Sequence, residues 1–203
     1  MNTELKKRII TSIGLLSLLT TMYFYSFIMI GALLIIAVII WIEFYALISK
    51  IIRGNKFQDI FFRFIFKLTS LLYLFIFVGF IFFIELHYID LKIYLLYSVL
   101  VAILSDIGGL VFGKTFKGKK LSKISPNKTY SGSLGAIIFS LLGIPAINLF
   151  QELFFNLVII DFFIIKYFLF SILISIICQL GDIYISFLKR KLNLLNHKKI
   201  NFL

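Results

Sequence analysis

Long apolar stretches, separated by short basic segments, recur along the whole chain. A helix needs about 20 apolar residues to cross a bilayer core, where each backbone polar group must find its partner within the protein. Hydrophobic residues make up 61% of the 203 residues, and the mean hydropathy is +1.06. Soluble domains are nearer half apolar. The sequence therefore predicts an all-α fold, a polytopic transmembrane helix bundle in a single membrane domain, residues 1–203.

The apolar stretches predict about six spans and a C-terminal interfacial helix. Residues 9–52 hold too many apolar positions for one helix, so we expect two helices with a tight turn near residues 23–26. No small-residue cleavage site follows the first stretch, and we therefore expect a retained helix rather than a signal peptide. The later elements are expected at residues 69–84 (with an earlier start among the phenylalanines as an alternative), 91–113, 132–150, 162–180 and, for the amphipathic interfacial helix, 181–194.

The charges sort between the two sides of this arrangement. The formal net charge is +12, and all but two of the 21 basic residues lie in segments that share a side with the N-terminus. The two exceptions are Lys92 and Lys166, while the acids Glu85 and Asp90 fall in an expected outer turn. Basic residues favour the cytoplasmic side of a membrane. We therefore predict a cytoplasmic N-terminus, and we interpret the positive charge as a signal for anionic membrane lipids rather than nucleic acid.

The first unusual segment, SDIGGLVFGKTFKGKK from Ser105, places an acid inside an apolar helix. Such an acid costs about 2.5–3.5 kcal/mol at mid-bilayer on insertion scales, and acids of this kind commonly have a function. Gly109 and Gly113 share a helical face with Asp106 and allow another backbone or a ligand to approach. Two interpretations stay open: a hydrogen-bonded aspartate in a helix-packing motif, and a functional carboxylate.

The second segment, SPNKTYSGSLG from Ser125, interrupts the apolar pattern with lysine, serine and glycine. Ser125-Pro126 disfavours helix, so a new helix should begin after it. A helix N-terminus binds phosphate through its free N–H groups and its dipole. We interpret this segment as a phosphate or nucleotide site, with a plain basic loop on anionic lipid as the alternative.

The third segment, QLGDIYISFLKRKL, follows the sixth predicted span. Asp182 is followed at i+4, i+7 and i+8 by Ser186, Lys189 and Arg190, so one helical stripe carries an acid, a hydroxyl and two cations. Basic side chains that snorkel to lipid headgroups would explain Lys189 and Arg190, but not Asp182.

At these three segments the chain resembles the phosphatidate cytidylyltransferase family, the CDP-diacylglycerol synthases. The corresponding family patterns are D-T-G-A-x-x-x-G-[KR], S-P-K-K-T-W-E-G-x-x-G and G-D-x-x-E-S-x-x-K-R, and they occur here in order over roughly residues 105–191. The resemblance implies that a phosphatidate oxygen attacks the α-phosphorus of CTP, which gives CDP-diacylglycerol and pyrophosphate. It also implies a Mg²⁺ cofactor, with a second cation possible, and a bacterial plasma membrane with the site on the cytoplasmic side.

The resemblance assigns roles to the candidate residues. Asp182 is the expected metal ligand and forms the expected catalytic set with Asp106 and Lys128. The expected substrate-binding residues are Ser125, Thr129, Ser131, Gly132, Ser186, Lys189 and Arg190. Residues 9–100 would form N-terminal spans, and residues 101–195 would bind nucleotide and lipid phosphate. The expected partners are CTP, phosphatidate and membrane lipids, without nucleic acid, and a homodimer is left open.

The chain departs from the family pattern at three places. Ser131 and Ile185 stand where the family has glutamate. After Lys191 the chain reads LNLLNHKKINFL, where the family continues to a glycine-rich H-G-G-x-x-D-R-x-D segment with a further metal-binding aspartate. We interpret residues 196–203 as an aberrant tail. The alternatives are an inactive membrane remnant, a polyprenol or lipid kinase-like enzyme, and a transporter of anionic solutes.

We expect the 203-residue chain, purified alone, to make little or no CDP-diacylglycerol, because its sequence lacks an acid of the family's metal site. The measurement is product formation from CTP and phosphatidate in the presence of Mg²⁺. Robust product that depends on both CTP and Mg²⁺ would contradict this expectation.

Overall fold

The structure, a computed structural model, describes residues 3–121, 128–155 and 165–200. In this part of the chain short connections join α-helices, and no β-strand is present beyond an isolated bridge between Lys120 and Thr129. A short 3₁₀ helix, Ile89–Leu91, precedes the fourth α-helix. The predicted all-α fold class is confirmed. The helices are α1 (Thr3–Phe24), α2 (Ser26–Ile51), α3 (Phe57–His87), α4 (Lys92–Phe116), α5 (Tyr130–Ser140), α6 (Gly143–Phe155) and α7 (Ile165–Ile200).

Helix length and composition make this a multi-pass membrane protein. The first predicted span corresponds to α1, in which a shorter apolar segment is found at Gly14–Phe24. Large apolar side chains point outward, as Phe27 and Phe75 show with 92% and 77% of their surface exposed. Lipid, rather than water, is the medium that such a surface fits. Within the described residues, five segments are long and apolar enough to cross a membrane, namely Ser26–Ile51, Phe57–His87, Lys92–Phe116, Tyr130–Phe155 and Ile165–Lys191.

Two elements differ from the expected spans. The fifth span is interrupted after Ser140, so that α5 and α6 follow one another as separate helices. Pro145 explains the interruption, because its ring has no N–H and excludes a bond to the Leu141 carbonyl four residues earlier. The sixth span and the expected interfacial helix instead form one continuous helix, α7. Gly181 is accommodated inside α7, so the C-terminal helix is not a separate element.

The helices group into two compact units, Met1–Lys92 and Ile93–Leu203. In the first unit α2 packs against both α1 and α3. In the second unit α5 packs against α7. The description as a single membrane domain stays a prediction.

A buried ion pair connects the end of α3 with the start of α4. Lys92 Nζ lies 2.6 Å from Glu85 Oε1, and the two side chains are 8% and 2% exposed. The Ser26 hydroxyl, at the start of α2, also donates to Glu85 Oε1. Glu85 lies in the last turn of α3, which ends at His87, and not in an outer turn as expected. The pair also accounts for Lys92, one of the two basic residues that the charge sorting left out.

We expect Lys92→Met to destabilise the protein by about 3–5 kcal/mol, because Glu85 would keep a buried charge without its cation. Adding Glu85→Gln should recover most of this loss, since no unpaired charge then remains. The measurement is thermal unfolding in detergent, with Lys166→Met, an exposed lysine, as the matched control. Equal stability of Lys92→Met and the control would contradict the expectation.

Candidate active site

Helices α4, α5 and α7 of the second unit surround a cavity of about 310 Å³. Each of the three unusual sequence segments contributes to its wall: Asp106 from α4, Lys128 from the approach to α5, and Asp182 from α7. The cavity therefore collects two acids and a lysine that are far apart in sequence. Its lining consists of Ser105, Asp106, Gly109, Leu110, Leu121, Lys128, Thr129, Gly132, Ser133, Ala136, Gln179 and Asp182.

Glycines allow α4 and α5 to approach closely beside this cavity. A Cβ atom added to Gly132 would lie 2.9 Å from the Gly109 carbonyl oxygen, and one added to Gly135 would lie 2.8 Å from that of Gly108. The predicted close approach of a second backbone at Gly109 is thus confirmed. Gly108, which is outside the Gly109-x-x-x-Gly113 pattern, packs even more tightly, and its added Cβ would overlap Gly135 and Phe139.

The first turn of α5 faces the cavity. Thr129 is the N-cap, and its Oγ1 accepts a hydrogen bond from the Gly132 backbone N–H at 3.1 Å. Both residues line the cavity. The positive end of the helix dipole makes this terminus suitable for an anion.

A short antiparallel contact holds the segment before α5 against the segment after α4. The Leu121 N–H donates to the Lys128 carbonyl at 2.8 Å, and the Tyr130 N–H donates to the Lys119 carbonyl at 3.1 Å. The chain turns back after α4 through Gly118, whose φ of 108° suits glycine. This contact fixes the backbone of Lys128 at the edge of the cavity.

An ion pair joins the approach to α5 with α7. Lys128 Nζ lies 2.6 Å from Asp182 Oδ2, with the side chains 28% and 58% exposed. A pair this exposed contributes at most about 1 kcal/mol to stability. Both groups can therefore exchange this contact for contacts to a ligand at little cost.

Asp106 lies in the same cavity without a hydrogen-bond partner for its carboxylate among the described residues. The first interpretation required a hydrogen bond that holds Asp106 in a helix-packing motif, and the described residues do not provide one. The functional interpretation is the one that this arrangement favours.

The two carboxylates fit a magnesium ion that substrate oxygens help to hold. Proteins usually bind Mg²⁺ through one or two carboxylates together with substrate phosphates and water. Asp106 and Asp182 can supply those carboxylates, since both line the cavity. A cluster of three or more acidic, histidine or cysteine side chains is absent from the described residues, so substrate oxygens would have to complete the coordination.

A polar network in the wall of the cavity is a feature that the sequence patterns did not predict. Gln179 Nε2 donates to Ser175 Oγ at 3.2 Å and to the Ser133 carbonyl at 3.4 Å, while the Ser133 hydroxyl donates to Gln179 Oε1. The Ser105 and Ser175 hydroxyls lie 2.7 Å apart. These bonds connect α4, α5 and α7. The sequence did contain a signal for this network, because Gln179 is a polar residue inside an apolar span, three residues before Asp182.

Two of the predicted substrate-binding side chains make other contacts. The Ser131 hydroxyl donates to the Lys117 carbonyl, and the Ser186 hydroxyl donates to the Asp182 carbonyl at 2.8 Å. Neither residue lines the cavity that the described residues form. Ser186 therefore bonds its own helix in this structure.

The other predicted substrate-binding residues are placed as follows. Lys189 and Arg190 are exposed on α7 and lie outside the described cavity lining, about 10–12 Å along the helix from Asp182. Ser125 lies outside the described residues. The roles expected for these three residues stay predictions.

The comparison with protein families agrees with the three segments. The model of the cytidylyltransferase family matches residues 1–195. The chain belongs to this family. The resemblance found in the three sequence segments is thereby confirmed.

Several curated proteins that are similar to this chain are named phosphatidate cytidylyltransferase. The protein of Rickettsia conorii is 35% identical over 96 residues, which cover 44% of this chain and 39% of the relative. That of Staphylococcus epidermidis is 32% identical over 153 residues, covering 75% and 54%. That of Staphylococcus haemolyticus is 41% identical over 98 residues, covering 48% and 35%. The chain thus spans about half or less of the length of these relatives, and no solved structure matches it significantly.

We expect Gly108→Ala to destabilise the protein by about 1–3 kcal/mol, because the new methyl group would force α4 away from α5. Gly109→Ala is the matched control, since its methyl group would meet the nearest atom, the Gly132 carbonyl oxygen, at an ordinary 3.6 Å. Thermal unfolding in detergent measures both. A Gly108→Ala protein as stable as Gly109→Ala would contradict the role of this crossing.

Proposed function

We propose that this protein carries the nucleotide and lipid-phosphate site of a phosphatidate cytidylyltransferase, which makes CDP-diacylglycerol and pyrophosphate from CTP and phosphatidate. One observation carries the proposal: Asp106, Lys128 and Asp182 line one cavity together with the N-terminal turn of α5. The names of the relatives support the choice of reaction and substrates.

Phosphate binding is assigned to Lys128 and α5. The Lys128 ammonium group forms an ion pair with Asp182. An entering phosphate offers a more highly charged partner, so Lys128 would move from Asp182 to a phosphate oxygen. The positive end of the α5 dipole would attract further phosphate oxygens. Asp182 would then be free for the magnesium ion that the family resemblance implies.

The reaction needs charge neutralisation and alignment more than proton transfer. A phosphate monoester has a second pKa near 6, so phosphatidate presents an anionic oxygen at neutral pH without a general base. Attack on the α-phosphorus forms one P–O bond and breaks the bond to the bridging oxygen, and pyrophosphate leaves with that electron pair. Lys128 and α5 would hold the phosphates in line and offset their charge. Magnesium, when bound, supplies further charge neutralisation, with Asp182 as its proposed ligand and Asp106 nearby.

The same proposal places the N-terminus and the site on the cytoplasmic face of a bacterial plasma membrane. Basic residues concentrate in the α2–α3 connection, which contains Arg53 and Lys56, and in the segments around Lys128. CTP would then reach the cavity from the cytoplasm, and phosphatidate would reach it from the membrane. A homodimer stays a prediction.

We expect Lys128→Gln to weaken CTP binding by about tenfold or more, because a charge-assisted hydrogen bond to phosphate is lost. Equilibrium binding of radiolabelled CTP to the chain in lipid nanodiscs, with Mg²⁺ present, measures the effect. Lys120→Gln is the matched control, since Lys120 is an exposed lysine of the neighbouring segment outside the described cavity lining. Equal loss in both variants would show that the basic loop acts only through its general charge.

Turnover is tested in a chimera that continues after Lys191 with the C-terminal segment of the Staphylococcus epidermidis relative. Release of pyrophosphate together with CDP-diacylglycerol supports the proposed reaction. Release of CDP would support a lipid kinase, and CTP binding without turnover would support an inactive remnant. Absence of CTP binding from both the chain and the chimera would refute the proposal and leave the transporter.

A further inference from the structure

A second cavity, of about 420 Å³, lies between α2 and α3 of the first unit, and we call it the α2–α3 groove. It shares no residue with the cavity around Asp106. Its wall is mainly apolar and carries two cations. The lining residues are Trp41, Tyr45, Ile60, Arg63, Phe64, Lys67, Leu68 and Leu71.

The two cations lack an acidic partner. Arg63 and Lys67 are half-buried, and neither forms an ion pair with a carboxylate in the described part of the chain. They stand four residues apart on α3, a spacing at which like charges repel. Lys67 Nζ lies 3.4 Å from the centre of the Tyr45 ring, and Arg63 makes a long contact of 3.5 Å to the Gly54 carbonyl. Asp59 stands one helical turn before Arg63 on α3, but no carboxylate forms an ion pair with either cation in the described part of the chain.

The two cations of the groove lie in the first three turns of α3, near the α2–α3 connection. α3 begins at Phe57, so Arg63 and Lys67 lie about 9 and about 15 Å along the helix from that end. Trp41 and Tyr45 lie within the last three turns of α2, and aromatic side chains of this kind favour the membrane interface. Farther along α3, Leu68 and Leu71 continue the groove as an apolar wall.

We propose that the α2–α3 groove binds one anionic phospholipid from the leaflet that faces the α2–α3 connection. The phosphate contacts Arg63 and Lys67, and an acyl chain lies along Phe64, Leu68 and Leu71. Charge complementarity carries the choice of occupant. Two cations that form no ion pair with a described carboxylate match a phosphate, while the apolar wall matches an acyl chain that no free phosphate possesses. This site is independent of the proposed catalytic function.

The chain carries its own reporter for this site, because Trp41 is its one tryptophan and lines the groove. The full chain is reconstituted in phosphatidylcholine vesicles that contain increasing fractions of brominated phosphatidylglycerol. Parallel vesicles contain brominated phosphatidylcholine at the same fractions. Bromine quenches a nearby indole, so the quenching curve reports which lipid occupies the groove. We expect the anionic lipid to quench at lower mole fractions.

Arg63→Gln combined with Lys67→Gln should reduce the preference for the anionic lipid by about fivefold for each cation removed. Lys50→Gln combined with Lys56→Gln is the matched control, since these exposed lysines near the same interface lie outside the groove lining. The control should retain the preference. Arg63→Lys combined with Lys67→Arg conserves both charges and should also retain it, which keeps the test valid if the glutamine variant does not fold.

Three results would overturn the proposal. Equal quenching by both brominated lipids in the parent chain would show that the headgroup charge is not recognised. Equal loss of preference in the Lys50/Lys56 control would assign the effect to general surface charge. Absence of quenching by either lipid would show that protein, such as a second copy of the chain, covers the groove.

Discussion

The close crossing of α4 and α5 is the contact on which the candidate active site depends. Gly108 faces Gly135 and Gly109 faces Gly132, and the two backbones approach to a distance that a Cβ atom at Gly108, Gly132 or Gly135 would prevent. Apolar area alone gives helices little reason to associate in lipid, and close packing of small residues therefore determines such crossings. The N-terminal turn of α5 consequently lies beside the carboxylate of Asp106 on α4, where both face one cavity.

Burial distinguishes the Glu85–Lys92 ion pair from the Lys128–Asp182 ion pair. Glu85 and Lys92 are almost fully buried, and Ser26 adds a third partner, so this pair serves the packing of the first unit. Lys128 and Asp182 are much more exposed, which makes exchange of partners cheap. A site that must release its lysine to an incoming phosphate requires the second kind of pair. Arg63 and Lys67 differ from both pairs, because neither forms an ion pair with a carboxylate in the described part of the chain.

Membership of the cytidylyltransferase family and the cavity geometry support the same proposed chemistry from different directions. The family model covers residues 1–195, whereas the curated relatives are matched over about half or less of their length. Within the matched part, the three segments recognised in the sequence converge at α4, α5 and α7. The cavity offers two carboxylates, one lysine and a helix N-terminus, a combination suited to a metal–nucleotide phosphate group.

The sequence by itself determined the membrane spans and three of the polar groups that face the cavity. Hydrophobicity over about 20 residues is a local property, and an acid or a glycine-rich basic loop stands out within it. The interruption between α5 and α6 was not predicted, although Pro145 explains it once the structure is known. Only the tertiary structure decided that Gly108 packs more tightly than Gly109, that Gln179 joins Ser133 and Ser175, and that Lys92 finds Glu85. The physical reason is that these contacts depend on how helices are rotated and how closely they approach, which composition and spacing along one segment do not specify.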